Sequence, residues 1–120
     1  MIDDRMKELI KRLHEQTISG RVVWEKTTDK AIFQASFPTY AIQISSRAAS
    51  RYSVAGTTYE VSIYDKDGDV VERVDTDADN SEALPPEMRS IVADLYSRAR
   101  RMALDVDQAL DALLETLASR

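Results

Sequence analysis

The sequence predicts an α+β domain with an N-terminal helix, an antiparallel meander of four to five strands, and a long C-terminal helical segment packed on one face of the sheet. Apolar residues recur every three to four positions in the first and last parts of the chain, and they alternate with polar residues between those parts. These two periods are typical of helices and strands respectively. The length of 120 residues fits a single α+β domain spanning residues 1–120.

The first helix is predicted from Ile2, Met6, Leu9, Ile10 and Leu13, which share one face. It ends at Ser19-Gly20, because glycine adopts the left-handed conformation that terminates many helices. A β-rich stretch then opens at Val22-Val23-Trp24. We expect Trp24 to anchor the core, with aromatic neighbours supplied by Phe33, Phe37, Tyr40 and Tyr59.

Alternating patterns around residues 31–37, 40–45 and 59–64 predict three strands. The turn Asp65-Lys66-Asp67-Gly68 and the returning Val70, Val71 and Val74 predict a hairpin after them. Short connections favour antiparallel pairing. Residues 45–56, which are small and polar, are predicted to form the longest loop.

The C-terminal segment begins at Pro85-Pro86 and carries the most regular pattern in the chain. An unbroken helix from Pro86 to Ala118 would be about 50 Å long, whereas a compact domain of this size is about 35 Å across. The segment therefore either bends or overhangs and needs a partner. Asp105 as N-cap and Gln108 at the third helical position favour a bend near Leu104–Asp105.

A partner is the other interpretation of the same segment. A 4-3 heptad spacing, typical of a helical dimer, runs through Met88, Val92, Leu95, Ala99, Met102, Val106, Ala109 and Leu113. The apolar positions that we expect at the face of a homodimer are Leu95, Met102, Val106, Leu110, Leu113 and Leu117.

The charge is unevenly distributed. The chain has 16 basic and 21 acidic residues, a net charge of −5 and a pI near 4.9, which argues against nucleic acid and acidic membranes as partners. Residues 65–82 hold eight acidic and two basic residues, so this segment is −6 and the rest of the chain is +1. Five of the acids form a hypothetical docking surface for a basic partner: Asp67, Asp69, Asp75, Asp77 and Asp79.

Residue types argue against several kinds of site. Asp75, Asp77 and Asp79 have the spacing of the first calcium ligands in an EF-hand, but Pro86 stands where the bidentate glutamate belongs. The chain has no cysteine and a single histidine, His14, so the usual zinc sites are excluded. No nucleophile elbow and no glycine-rich phosphate loop occurs. We therefore predict no catalytic residue, no metal and no cofactor.

Arg98 and Arg101 lie three residues apart on one helical face, and their position is consistent with two roles. They are candidate ligands for a phosphate or carboxylate group, through bidentate contacts. Alternatively, they belong to a solvated helix face, with Arg98 paired to Asp94 and Arg101 paired to Asp105 at a spacing of four.

Several short motifs together resemble a family of small bacterial α+β domains that have no assigned function. The motifs are Thr17-x-Ser19-Gly20, Trp24, Asp67-Gly68, Leu95-Tyr96-x-x-Ala99-Arg100-Arg101 and Val106-Asp107. The resemblance implies a meander sheet in an α+β fold, and it carries no catalytic residue, cofactor or partner to this chain.

The sequence thus favours a non-catalytic protein–protein interaction or assembly module, cytoplasmic and homodimeric through its C-terminal helix. No apolar run reaches the length of a membrane span, so we expect no membrane contact. One alternative is a small acidic neutralising or chaperone-like protein that binds a basic partner through residues 65–82. A second is an anion-binding or enzymatic domain that uses the Arg98 and Arg101 pair.

Overall fold

A computed structural model describes residues 4–48, 56–77 and 84–119 of the chain. These residues form three helices and five strands. In chain order the elements are α1 (Asp4–Ile18), β1 (Glu25–Lys26), β2 (Ile32–Ser36), β3 (Tyr40–Ala48), β4 (Thr57–Asp65), β5 (Val70–Asp75), α2 (Pro86–Ala103) and α3 (Val106–Ala118). The α+β class, the N-terminal helix and the strand meander are confirmed.

The strands form one antiparallel sheet in the order β1-β2-β3-β4-β5. Ile44 on β3 pairs with Phe33 on β2 and with Val61 on β4, and Val61 pairs with Val74 on β5. Because side chains alternate along a strand, this register places those four residues on the same face. That face is the buried one, and each of the four is 7% exposed or less.

Two strand boundaries differ from the sequence prediction. β3 continues through Ala48, so the loop predicted for residues 45–56 begins later, and residues 49–55 lie outside the described part. The stretch Val22-Val23-Trp24 precedes the short strand β1 and does not belong to it. The hairpin turn is confirmed, because Asp65 N donates to Asp69 O over 2.9 Å and Gly68 has φ +84°.

The core lies between the sheet and the two helices α1 and α2. Trp24 is almost fully buried, as expected, and its indole Nε1 donates to Thr17 Oγ1 over 3.0 Å, which satisfies both polar groups. Phe33 is also buried, and Tyr59 packs against the core. Phe37 and Tyr40 are exposed, so the expectation that they join this aromatic cluster is wrong.

The opposite face of the sheet is polar. Gln43 Nε2 donates to Gln34 Oε1 over 2.9 Å across β2 and β3. Glu60 on β4 forms ion pairs with Arg47 on β3 and with Arg73 on β5, each at 3.1 Å. No described helix covers this face, because α2 and α1 both pack on the apolar side.

The C-terminal segment is divided at the predicted position. α2 begins at Pro86 and ends at Ala103, and α3 begins at Val106, with Leu104 and Asp105 between them. α2 packs on the sheet and on α1, but among the described elements α3 contacts α2 alone. The longest dimension of the structure is 55 Å. The segment therefore both breaks and overhangs, and only its first half covers the sheet.

Candidate interaction surface

The apolar face of α3 is the largest exposed group of leucine side chains that the structure describes. At 100° per residue, Val106, Leu110, Leu113 and Leu117 fall within one narrow stripe, and Leu114 lies at its edge. Val106 is half-buried. The exposed fractions of the four leucines are between 46% and 65%. A soluble domain seldom leaves a contiguous leucine stripe in water unless something binds it.

The predicted dimer face is split by this arrangement. Leu95 is 0% exposed and lies on the core-facing side of α2, so it is not accessible to a partner. Met102 and Val106 are half-buried, and Leu110, Leu113 and Leu117 are exposed. The heptad spacing from Met88 to Ala99 is likewise used inside the domain, since all four of its residues are buried: Met88, Val92, Leu95 and Ala99.

Leu114 was missed by the sequence analysis, although it is 65% exposed and widens the stripe. The signal for it was present: Leu114 follows Leu110 by four residues, a spacing that places both on one side of a helix. The pattern with a mean spacing of 3.6 residues contains one residue per helical turn, and Leu113 occupies the place that Leu114 could also have taken.

Asp105 fixes the joint between α2 and α3. Its φ of 54° and ψ of 48° are left-handed, which is uncommon for a residue other than glycine, although aspartate tolerates it better than most. The Asp105 side chain makes no capping hydrogen bond, so the predicted capping box with Gln108 is wrong. The left-handed backbone of Asp105 separates the two helices, and the exposed Arg101–Asp107 ion pair (2.5 Å) joins them across the break.

Arg98 and Arg101 are both held in ion pairs. Arg98 Nε lies 2.6 Å from Asp94 Oδ2, as one of the two interpretations predicted. Arg101 binds Asp107 and not Asp105, because the left-handed turn brings the first turn of α3 under the guanidinium group. The two arginines line a cavity of about 350 Å³ with Thr17 and Met102, but their charges are already balanced.

His14 joins the same cluster from α1. Asp94 Oδ2 accepts a hydrogen bond from His14 Nε2 over 2.7 Å, which fastens α1 to α2. This hydrogen bond, followed by the one from Arg98, holds the pKa of the Asp94 carboxyl below its ordinary value of 3.8. Asp94 is half-exposed, so the cluster is a solvated contact between helices.

The acidic residues that we expected to form one docking surface are placed apart. Asp67 and Asp69 are exposed at the β4–β5 turn. Asp75 is only 9% exposed, lies at the end of β5, and has Arg47 at 3.6 Å. Asp77 follows it, and its backbone N–H donates to Asp75 Oδ1. Asp79 lies outside the described residues. The part that the structure describes therefore contains an acidic turn and a separate, partly neutralised strand end.

Within the described residues, no group of three or more histidine, aspartate or glutamate side chains is arranged to hold a metal ion. In the same residues, no helix has the length and apolar content needed to cross a bilayer.

Comparisons with protein-family models, curated proteins and solved structures found no match to this chain. The resemblance to small bacterial domains stays a prediction.

Proposed function

We propose that this chain is a non-catalytic protein–protein interaction module that assembles as a homodimer through α3. The observation that supports the proposal is the apolar stripe of α3, which no described element covers. The same proposal assigns the protein to the cytoplasm, since a chain without cysteine suits a reducing compartment.

The order of apolar residues along α3 favours a second copy as the partner. Val106, Leu110, Leu113 and Leu117 are separated by 4, 3 and 4 residues, so the spacing is the same in both directions. Two antiparallel copies related by a two-fold axis then match Val106 with Leu117 and Leu110 with Leu113. A two-fold interface requires this kind of self-complementary surface.

The acidic residues of α3 lie away from the apolar stripe. Val106–Ala118 contains three of them, Asp107, Asp111 and Glu115, and no basic residue. At 100° per residue each lies about 90° or more from the centre of the stripe, so two copies of α3 can meet through apolar side chains alone. The antiparallel direction is therefore proposed from the symmetric spacing of the apolar residues.

The expected dimer is weak. A 13-residue helix is about 20 Å long, and two such helices bury less area than the roughly 800 Å² per partner of a standard interface. We therefore expect a dissociation constant of about 1–100 µM. Removing either central leucine, Leu110 or Leu113, should raise this constant roughly tenfold or more.

Sedimentation velocity from about 1 µM to 0.5 mM tests the proposal. The wild-type chain is expected to change from monomer to dimer over this range, and Leu113→Asp to stay monomeric. Ala112→Asp is the matched control, because it adds the same charge to the same helix outside the apolar stripe, and it should dimerise. A wild-type chain that is monomeric throughout, or equal behaviour of the two variants, would overturn the proposal.

Spin labels test the direction of packing. The chain has no cysteine, so Ala112→Cys and Ser119→Cys each provide a single attachment point. In the antiparallel dimer the two Ser119→Cys labels are about 20 Å farther apart along the helix axis than the two Ala112→Cys labels. Equal distances for both pairs would contradict the antiparallel arrangement.

A further inference from the structure

We propose that the cavity between the β1–β2 loop and the end of α2 binds a small organic anion that carries both a phosphate or carboxylate group and an apolar ring. The cavity has a volume of about 370 Å³, which lies within the range of small-molecule sites. Three cations line it, namely Lys26, Lys30 and Arg100, and Phe33 and Leu104 form its apolar part.

The three cations at this cavity lack the carboxylate partners that five arginines elsewhere in the fold have. Arg12, Arg47, Arg73, Arg98 and Arg101 each lie within 4 Å of a carboxylate oxygen. Over the described ranges 4–48, 56–77 and 84–119, Lys26, Lys30 and Arg100 have no such ion pair. Three unpaired cations facing one cavity in an acidic protein create a local positive potential, which attracts an anion.

The single carboxylate in the cavity does not neutralise the cations. Asp29 Oδ1 accepts the backbone N–H of Ala31 over 2.8 Å, so this oxygen is used to shape the loop. Thr27 Oγ1 donates to Ile32 O over 2.9 Å and accepts the N–H of Asp29 over 3.1 Å. With one carboxylate and three cations, the lining keeps a net positive charge of two.

The two sides of the cavity are fastened to each other, so the backbone around it needs little ordering when a ligand binds. Tyr96 on α2 donates from its hydroxyl to Ala31 O over 3.3 Å, and its ring lies 5.5 Å from the Phe33 ring. Trp24 N also donates to Met102 Sδ over 3.3 Å. These contacts tie the loop that carries Lys30 to the helix that carries Arg100, and a pre-formed site binds more tightly for the same contacts.

The apolar part sets the class of ligand. Leu104 is 39% exposed and supplies the apolar surface that a ligand can contact, whereas Phe33 is 1% exposed and lies behind the cavity as part of the core. An inorganic anion would leave Leu104 in water, whereas an aromatic ring bearing a phosphate or carboxylate would cover it. The site is separate from the apolar face of α3, and this inference does not depend on dimer formation.

Phenyl phosphate is the probe that we would use, titrated into the ¹⁵N-labelled full chain. We expect amide shifts in the β1–β2 loop and at the end of α2, with a dissociation constant of about 0.1–1 mM. Lys30→Gln and Arg100→Gln should each weaken binding about tenfold, since each removes a charge-assisted hydrogen bond. Inorganic phosphate should bind several-fold more weakly, and benzyl alcohol should cause no shift at these amides.

Lys66→Gln is the matched control, because Lys66 is an exposed cation in the β4–β5 turn. That turn is at the opposite end of the sheet: Tyr40 pairs with Asp65 there, whereas Ile32, beside the cavity, pairs with Ser45. Lys66→Gln should bind phenyl phosphate like the wild type. Absence of shifts at the cavity amides up to about 10 mM probe, or equal weakening by all three variants, would overturn the inference.

Discussion

α2 and α3 carry the same kind of apolar pattern, yet they end in opposite environments. On α2, Leu95 and Ala99 are completely buried. On α3, Leu113 and Leu117 continue the pattern and are more than half exposed. The two helices differ in what lies beneath them. α2 contacts β1, β2, β3, β4 and α1, whereas among the described elements α3 contacts only α2.

The comparison shows that helical periodicity indicates a face that needs to be covered, but not what covers it. In α2 the cover is the sheet of the same chain. In α3 the described chain provides none, so the same pattern becomes a candidate interface. Burial inside a domain and burial between copies follow from the same hydrophobic effect.

Replacing one leucine in each helix should give the largest difference in stability between the two helices. Leu95→Ala is expected to lower the free energy of unfolding by about 2–5 kcal/mol, because it leaves a cavity in a packed core. Leu113→Ala should change it by less than about 0.5 kcal/mol when the protein is dilute, because the side chain is exposed there. Urea denaturation at about 1 µM, followed by the fluorescence of the single Trp24, measures both values.

Protein concentration sharpens this comparison. If α3 forms the dimer, the wild type is stabilised further as concentration rises and Leu113→Ala loses part of that gain. The stability lost in Leu95→Ala should be similar in dilute and in concentrated protein. Equal losses for the two variants in dilute protein would contradict the distinction between a buried and an exposed leucine.

Much of the fold was predictable, because it depends on local patterns. Alternation predicted the strands, and Gly20 and Gly68, both at positive φ, stand at the helix end and turn that glycine indicated. The division of the C-terminal segment was also predicted. Its cause was not, since the capping box at Asp105 does not form and a left-handed backbone is what separates the helices.

The candidate sites were less predictable, because they depend on which distant residues meet. From the sequence, His14 stood out only as the single histidine, and nothing in the pattern pairs it with Asp94, which is 80 residues away. Lys26, Lys30 and Arg100 were not selected, since two lie in a short hairpin and the third on a helix. Only the packing of α2 over β2 brings them to one cavity.

A second test concerns the joint, where the effect should be about 1 kcal/mol. Asp105 has a left-handed backbone, which glycine adopts without strain, so Asp105→Gly should keep the break and raise stability by up to about 1 kcal/mol. Asp105→Ala should favour one continuous helix, because alanine is the strongest helix former and is strained at positive φ. This change would alter where the apolar face of α3 points relative to α2.

Spin labels at Glu25→Cys and Glu115→Cys, diluted with unlabelled protein, measure the change at the joint. Asp105→Gly should preserve the wild-type distance between β1 and α3, and Asp105→Ala should shift it. If both variants keep the wild-type distance, the left-handed backbone of Asp105 does not determine the break.

The smallest expected effect concerns the polar contact between α1 and α2. Asp94→Asn should cost less than about 1 kcal/mol at neutral pH, because the contact to His14 and Arg98 is half-exposed. The folded-state pKa of Asp94 is lowered, so its contribution is complete above the ordinary pKa of 3.8 and is lost as the pH falls through the folded value. The stability difference between wild type and Asp94→Asn, measured by urea denaturation, should therefore shrink as the pH falls below about 4.

Glu8→Gln, which removes the exposed Arg12–Glu8 pair within α1, is the control and should cost about 0.5 kcal/mol or less. A difference for Asp94→Asn that grows as the pH falls would contradict this sign, and with it the role of the carboxylate in fastening α1 to α2.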